Sequence, residues 1–278
     1  MTRFVTEAFE QAFASRLDVQ DAIAVTSGTS ALIATLWSLD LQPGDEVITT
    51  PFTFMATANA IVICGATPVF ADIHPDTLLI DPRAIAEAMT TRTRAIIPVH
   101  LFGRVCAMDE ILRLAEPAGI PVIEDTAQAL GATWQEQYAG TIGDAGCFSF
   151  YKTKNLSTFE GGMITIPEHS RLDARRIRAI TNQGDVGGKQ YDYIGFNFRM
   201  PEPCALIGLQ QIKMHWPAIQ AELGRYGVSD GYYPRVIYDQ PAYRKLGIRG
   251  NCPIAEDAAR QVAESLVQTK SLEKEVCQ

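Results

Sequence analysis

Ser149-Phe150-Tyr151-Lys152-Thr153-Lys154-Asn155-Leu156 is the stretch on which the reading of this chain turns. It sets a lysine, Lys154, just past an apolar, strand-like run. Upstream, Ile120-Pro121-Val122-Ile123-Glu124-Asp125 is a second apolar run, closed by an acid. Further upstream, Ser27-Gly28-Thr29-Ser30 joins a strand-like run to an apolar helix. Glycine and small hydroxyls at a strand-to-helix turn suit a phosphate, because the first amides of a helix are unpaired and its dipole favours an anion. Strand alternation sends Glu124 and Asp125 to opposite faces, so only one of them belongs to a given site. A phosphate cradle, a carboxylate and a lysine in this order are what a pyridoxal 5′-phosphate (PLP) enzyme needs. The lysine forms the Schiff base, Asp125 keeps the pyridine nitrogen protonated, and the loop grips the phosphate.

The surrounding pattern fits an α/β chain with a mostly parallel sheet flanked by helices, since strand-like and helix-like segments alternate. Strands are expected at residues 21–25, 46–49, 67–71, 94–100, 121–124, 147–151 and 163–166. Helices are expected at 31–37, 54–62, 108–118, 171–180, 203–219 and 256–267. Asp81-Pro82 opens another, with an acidic cap and a proline at its first position. Gly65 is a C-cap candidate. After Gln220 the pattern weakens, which divides the chain into a large PLP-binding domain over 1–220 and a smaller C-terminal domain over 221–278. Ligands of open α/β sheets bind outside the carboxyl ends of the strands, and Ser27, Asp125 and Tyr151 all fall at or just past such ends.

Composition narrows the class. The chain has 278 residues, 47 % hydrophobic and 20 % charged, as expected of a globular protein with ample core. A net charge of -8 argues against nucleic acid or an anionic membrane as partner. No apolar stretch has the length of a membrane span, and the first residues lack the apolar core of a signal peptide. Six cysteines without C-x-x-C spacing read as buried thiols in a reduced, cytoplasmic protein. Four scattered histidines supply no zinc set, so no metal is expected.

Further candidates gather around the same chemistry. Phe54 can stack on the cofactor ring. Ser149 can add a hydroxyl to the phosphate, and Gln128 can bond the ring hydroxyl or pack over the ring. Asn197 and Arg199 can reach across a subunit interface. Lys154 needs a lowered pKa, from desolvation and a nearby cation such as Lys152. Each residue alone has an ordinary structural explanation: an N-cap, a salt-bridge acid, a surface lysine, a core aromatic. Only their combination is specific.

That combination resembles the DegT/DnrJ/StrS family of PLP-dependent nucleotide-sugar aminotransferases. Ser27-Gly28-Thr29-Ser30-Ala31-Leu32, Pro51-Phe52-Thr53-Phe54-Met55-Ala56-Thr57, Pro98-Val99-His100-Leu101-Phe102-Gly103, Glu124-Asp125-Thr126-Ala127-Gln128-Ala129, Ser149 to Asn155, Glu160-Gly161-Gly162 and Gly195-Phe196-Asn197-Phe198-Arg199-Met200 carry it. The resemblance implies the type I, aspartate-aminotransferase-like fold of PLP enzymes. It implies Lys154 as the Schiff-base lysine, Asp125 as pyridinium partner, Gln128 beside the ring and Phe54 stacked on it. The amides of Thr29 and Ser30, following Gly28, would hold the phosphate with Ser149, and Asn197 would reach the phosphate of the neighbouring subunit. It further implies a homodimer with shared active sites, glutamate as amino donor and a nucleotide-linked keto sugar as acceptor, in amino-sugar biosynthesis. A dehydratase branch carries histidine in place of Lys154 and is disfavoured.

The chain departs from the family pattern in two places. Members usually have an N-terminal arm before the helix that starts here near Phe4. They also have several dozen more residues between the block at Trp216 and the block Tyr233-Pro234-Arg235-Val236-Ile237-Tyr238. A shortened homologue that binds PLP without catalysis, or only dimerises, is therefore the alternative to an active aminotransferase. A PLP lyase or desulfurase on the same fold is a weaker third reading.

Overall fold

The computed structural model describes residues 4–221, 223 and 233–276, with the side chains of the last helix described as far as Glu264. Helix α1 (Phe4–Leu17) leads into β1 (Asp21–Val25), α2 (Gly28–Trp37), β2 (Glu46–Thr49), α3 (Met55–Ile63) and β3 (Thr67–Phe70). Then come α4 (Pro82–Ala88), β4 (Thr93–Ile97), α5 (Met108–Ala115) and β5 (Ile123–Asp125). After a small hairpin of β6 (Thr133–Trp134) and β7 (Gln137–Tyr138), the strands β8 (Ala145–Ser149) and β9 (Gly162–Ile166) complete the main sheet. The remaining elements are α6 (Ala174–Thr181), a hairpin of β10 (Asp185–Gly187) and β11 (Gln190–Tyr191), α7 (Glu202–Met214), α8 (Trp216–Ala221), α9 (Pro241–Lys245) and α10 (Pro253–Val276).

Two ladders, β3-β2-β4 and β5-β8-β9-β1, meet through parallel bridges from Ile96 to Val122 and from Val99 to Asp125. The result is one sheet of order β3-β2-β4-β5-β8-β9-β1. All neighbours are parallel except β9, which runs against both β8 and β1. Six strands therefore share one direction, and their carboxyl ends form one edge. The mostly parallel sheet expected from the sequence is the sheet observed.

Both faces of that sheet are buried, which explains why its strands read as near-continuous apolar runs. Alternation sorts the side chains. Val47, Ala95, Ile97, Ile123 and Cys147 pack under α2, α3 and α6. Ile48, Ile96 and Val122 pack on the opposite face under α4, α5 and α10. On that same face, Ala24, Phe148 and Met163 lie under α1, α7 and α8, where Phe9 and Phe13 interlock with Phe148 and Phe150.

The segment from Tyr233 onward packs into this structure. Tyr233, Val236, Tyr238, Cys252, Ala255 and Val262 share a hydrophobic cluster with Ile48, Phe52, Ala71 and Ile96. The carboxylate of Asp72, just past β3, accepts from the backbone N–H groups of Ile254 and Ala255 and so caps the start of α10. Tyr243 adds a hydrogen bond to Asn59 on α3 at 2.6 Å.

Most boundaries move by up to three residues, the strand expected over 94–100 ending at Ile97 and the helix expected from 171 starting at Ala174, and two helices differ more. The helix expected over 203–219 is broken at His215 into α7 and α8. Pro217 explains this: it lacks an N–H, its ring opposes the carbonyl four residues back, and it restricts the residue before it. The last helix, expected over 256–267, runs from Pro253 to Val276. Most of the sequence between the blocks at Trp216 and Tyr233, residues 222 and 224–232, lies outside the described residues.

Candidate active site

The carboxyl edge of the sheet holds a cavity of about 460 Å³. Lys154, Asp125, Gln128, Ser149, Phe54 and the Ser27–Thr29 turn all face it, so the structure brings together residues that lie far apart in the sequence. They arrive by four strands: the turn from β1, Phe54 from β2, Asp125 and Gln128 from β5, and Ser149 and Lys154 from β8.

Ser27 caps α2 with extended backbone, its Oγ accepting the Ser30 N–H at 3.0 Å. The Ser30 hydroxyl is shared between Thr26 and Ser27, each at 2.8 Å. Gly28 and Thr29 thus stand at the cavity wall in a fixed loop, whereas Ser30, expected to offer its amide to the phosphate, gives that N–H to the Ser27 cap and does not line the cavity. Gly28 is required there, because a Cβ on it would sit 2.8 Å from the Cβ of Ser149. The β8 end and the α2 start consequently form a single cradle lined by backbone.

Glu124 and Asp125 point in opposite directions, as alternation requires. Glu124 is fully buried and its Oε2 faces His100 Nε2 at 2.8 Å. It also accepts backbone N–H groups from Gly140, Ile142 and Gly143 at 2.7–2.8 Å. The Cys106 N–H points at His100 Nδ1, which therefore carries its lone pair, and the ring proton lies on Nε2 toward Glu124. Asp125 faces the cavity, only 4 % exposed. Its Oδ2 accepts from the Thr57 hydroxyl at 2.8 Å and its Oδ1 from the Ala127 N–H at 3.2 Å. Burial pushes its carboxyl above the usual range, while Thr57, Ala127 and the charge of Lys154 pull it back.

Lys154 follows a turn closed by its own N–H to the Tyr151 carbonyl at 2.8 Å. The next residue anchors that turn: Asn155 Nδ2 donates to the carbonyls of Leu130 and Ile219. Gln211 on α7 clamps the backbone of Ser157 from both sides. Burial lowers the pKa of the Lys154 amine, and Asp125 opposes the shift. Lys152, expected to help, does not. Its side chain is exposed and lies over the Tyr151 ring, and it takes no part in the shift.

Phe54 stands at the N-cap of α3, 64 % exposed, with its ring on the cavity wall. Gln128 accepts the Phe102 N–H at 3.2 Å and donates to the Tyr233 hydroxyl at 2.5 Å. Asn197 is exposed and lies outside the cavity of its own chain, bridged to Asn182 in a short antiparallel contact. Arg199 donates to the Asn182 side chain at 3.0 Å. Two cavity-lining positions escaped the sequence reading. Thr57 holds the Asp125 carboxylate; its place one helical turn after Phe54 was the available signal. Tyr233 closes one wall of the cavity, and no local pattern marks it. Among the described residues no group of histidines, cysteines and acids is placed to hold a metal ion, and no helix is long and apolar enough to cross a membrane.

These features suit PLP: a cradle at a helix start that a single Cβ would fill, a buried carboxylate, and a desolvated amine facing the same cavity. Comparison with known proteins agrees. The chain is 43 % identical over 217 residues to the spore coat polysaccharide biosynthesis protein SpsC of Bacillus subtilis (strain 168), covering 74 % of this chain and 56 % of that protein. It is 42 % identical over 229 residues to the GDP-perosamine synthase of Caulobacter vibrioides, covering 81 % and 61 %. The chain thus spans less than two thirds of the length of either relative. Among solved structures, S. venezuelae DesV in complex with a ketimine intermediate superposes with a TM-score of 0.81 at 30 % identity, covering 92 % of this chain and 82 % of that one. With its residues 4–216 matching the family model, the chain belongs to the DegT/DnrJ/EryC1/StrS aminotransferase family, whose members use PLP.

Proposed function

We propose that the chain is a PLP-dependent sugar aminotransferase that takes an amino group from glutamate and delivers it to a nucleotide-linked keto sugar. It would work in the cytoplasm, in amino-sugar or polysaccharide biosynthesis, as a homodimer with shared sites. The observation that carries this reading is the convergence of Lys154 and Asp125 on one cavity beside the start of α2. Bound there, PLP would supply an electron sink for the bond changes at the amino carbon.

The residues divide the remaining work. Lys154 Nζ, desolvated and so readily neutral, would hold the cofactor and then carry a proton between the two carbons that exchange it. Asp125, held in place by Thr57 and Ala127, would face the pyridinium N–H and keep that proton on the ring. The amide of Thr29, with the Ser149 hydroxyl, would bind the phosphate, the Ser30 N–H being already donated to Ser27 Oγ; Gly28 gives it room. Phe54 would cover one ring face and Gln128 would donate to the ring hydroxyl. Asn197, outside its own cavity, would serve the phosphate of the partner. The division into a large domain over 1–220 and a small one over 221–278 belongs to the same proposal.

Incubation with PLP and glutamate, followed by mass spectrometry, tests the reading. Pyridoxamine phosphate should form, and full turnover with a keto sugar should show the parallel lines of ping-pong kinetics. A chain that binds PLP but yields no pyridoxamine phosphate would instead be the non-catalytic homologue.

A further inference from the structure

Tyr233 and Gln128 are 105 residues apart, yet the Gln128 Nε2 to Tyr233 Oη contact, at 2.5 Å, is among the shortest polar contacts at the cavity. The orientation of the amide is fixed by its other partner. Phe102 takes a left-handed backbone conformation, φ 55°, and presents its N–H to Gln128 at 3.2 Å. An N–H can face only an acceptor, so that atom is the amide oxygen and the other is the nitrogen. The oxygen is thereby held by Phe102. Of the two N–H groups, one goes to Tyr233 and the second remains for the cavity that Gln128 lines. Tyr233 is itself immobilised. It is 9 % exposed, and its ring meets Phe52 edge-on at 5.5 Å and Phe102 at 6.3 Å. Its segment belongs to the core cluster that includes α10.

We infer that Tyr233 is a positioning residue that locks the Gln128 amide with an N–H toward the cofactor's ring oxygen, so that the C-terminal segment sets the electronic state of the cofactor. The inference rests on the proposed PLP site. A fixed donor at the ring oxygen draws electron density away from the lysine linkage; loosening it should raise the pH at which that linkage loses its proton. Phenylalanine keeps the ring against Phe52 and removes only the hydroxyl.

The test is a PLP titration of the full chain, read by the visible band of the lysine-bound cofactor and repeated across pH. Tyr233→Phe should weaken PLP binding by about threefold to tenfold, the range for one lost hydrogen bond, and move the pH midpoint of the band upward. Gln128→Ala should do at least as much. In the Gln128→Ala background, Tyr233→Phe should change nothing further. Gln128→Glu is the second probe, because it can still accept from Phe102 and Tyr233 but offers no N–H to the cavity, and it should bind PLP at least as weakly as Tyr233→Phe. The inference is overturned if Tyr233→Phe matches the parent in affinity and midpoint, if its effect persists without Gln128, or if Gln128→Glu binds normally. A parent chain with no visible band would overturn the cofactor reading itself, and this inference with it.

Discussion

On one side of β5, Glu124 meets three backbone N–H groups of the 140–143 loop and the His100 ring; on the other side, Asp125 meets one hydroxyl, one N–H and then a cavity. Both carboxylates are buried, and they are neighbours in the chain. Burial therefore does not separate scaffold from site. Completeness does. A buried carboxylate whose oxygens are saturated by fixed donors has nothing left to bind, and removing it orphans every donor around it. A buried carboxylate with room for one more donor is costly as it stands, and a ligand cation relieves that cost. The raised pKa of Asp125 and the lowered pKa of Lys154 express the same incompleteness.

The largest effect should come from the finished side. Glu124→Ala leaves three loop N–H groups and the His100 ring proton without partners; at about 1–3 kcal/mol each, a loss of about 4 kcal/mol or more is expected in urea denaturation. A loss under about 1.5 kcal/mol would remove the distinction between the two sides. Asp125→Ala is the converse probe. It should lower PLP affinity at least about 100-fold, roughly 2.7 kcal/mol, while shifting the urea midpoint of the cofactor-free chain far less than Glu124→Ala does. Next comes the cradle shared by β8 and α2. Gly28→Ala forces a Cβ to 2.8 Å from that of Ser149 and should cost about 1–3 kcal/mol of stability, together with phosphate binding measured by titration with inorganic phosphate.

The smallest effect is a pH dependence on the open side. Burial lowers the Lys154 pKa in the folded chain, so between that value and the ordinary lysine value the unfolded chain holds more protons. Stability of the cofactor-free protein should therefore rise with pH through this alkaline window, after other groups are accounted for. Lys154→Met should flatten that rise and be the more stable protein below that window, because burying the lysine amine, charged or stripped of its proton, is a cost that the thioether does not carry. Thermal melts of both proteins in cofactor-free buffer would show it.

The same contrast explains what the sequence disclosed. The strand Glu46–Thr49 was legible to the residue, since Pro43-Gly44-Asp45 marks its start and its side chains alternate between two buried faces. The opposed directions of Glu124 and Asp125 followed from strand alternation alone. The break at His215 was hidden because Pro217 acts two residues ahead of itself and the apolar pattern continues through it. Lys152 was misleading because proximity in sequence put it near Lys154, whereas the turn sends it outward. Tyr233 was invisible as a cavity residue for a different reason: its partner Gln128 lies 105 residues away and no local period encodes that, whereas Thr57, 68 residues from Asp125, was hinted at only by its place one helical turn after Phe54.

The central claim, that the carboxyl edge of this sheet is a working PLP site, is tested most directly by the visible spectrum of the purified chain with added PLP, recorded beside Lys154→Ala. The account predicts a visible band in the parent that fades on addition of glutamate, and none in the variant. No band in either protein, or the same band in both, would contradict it.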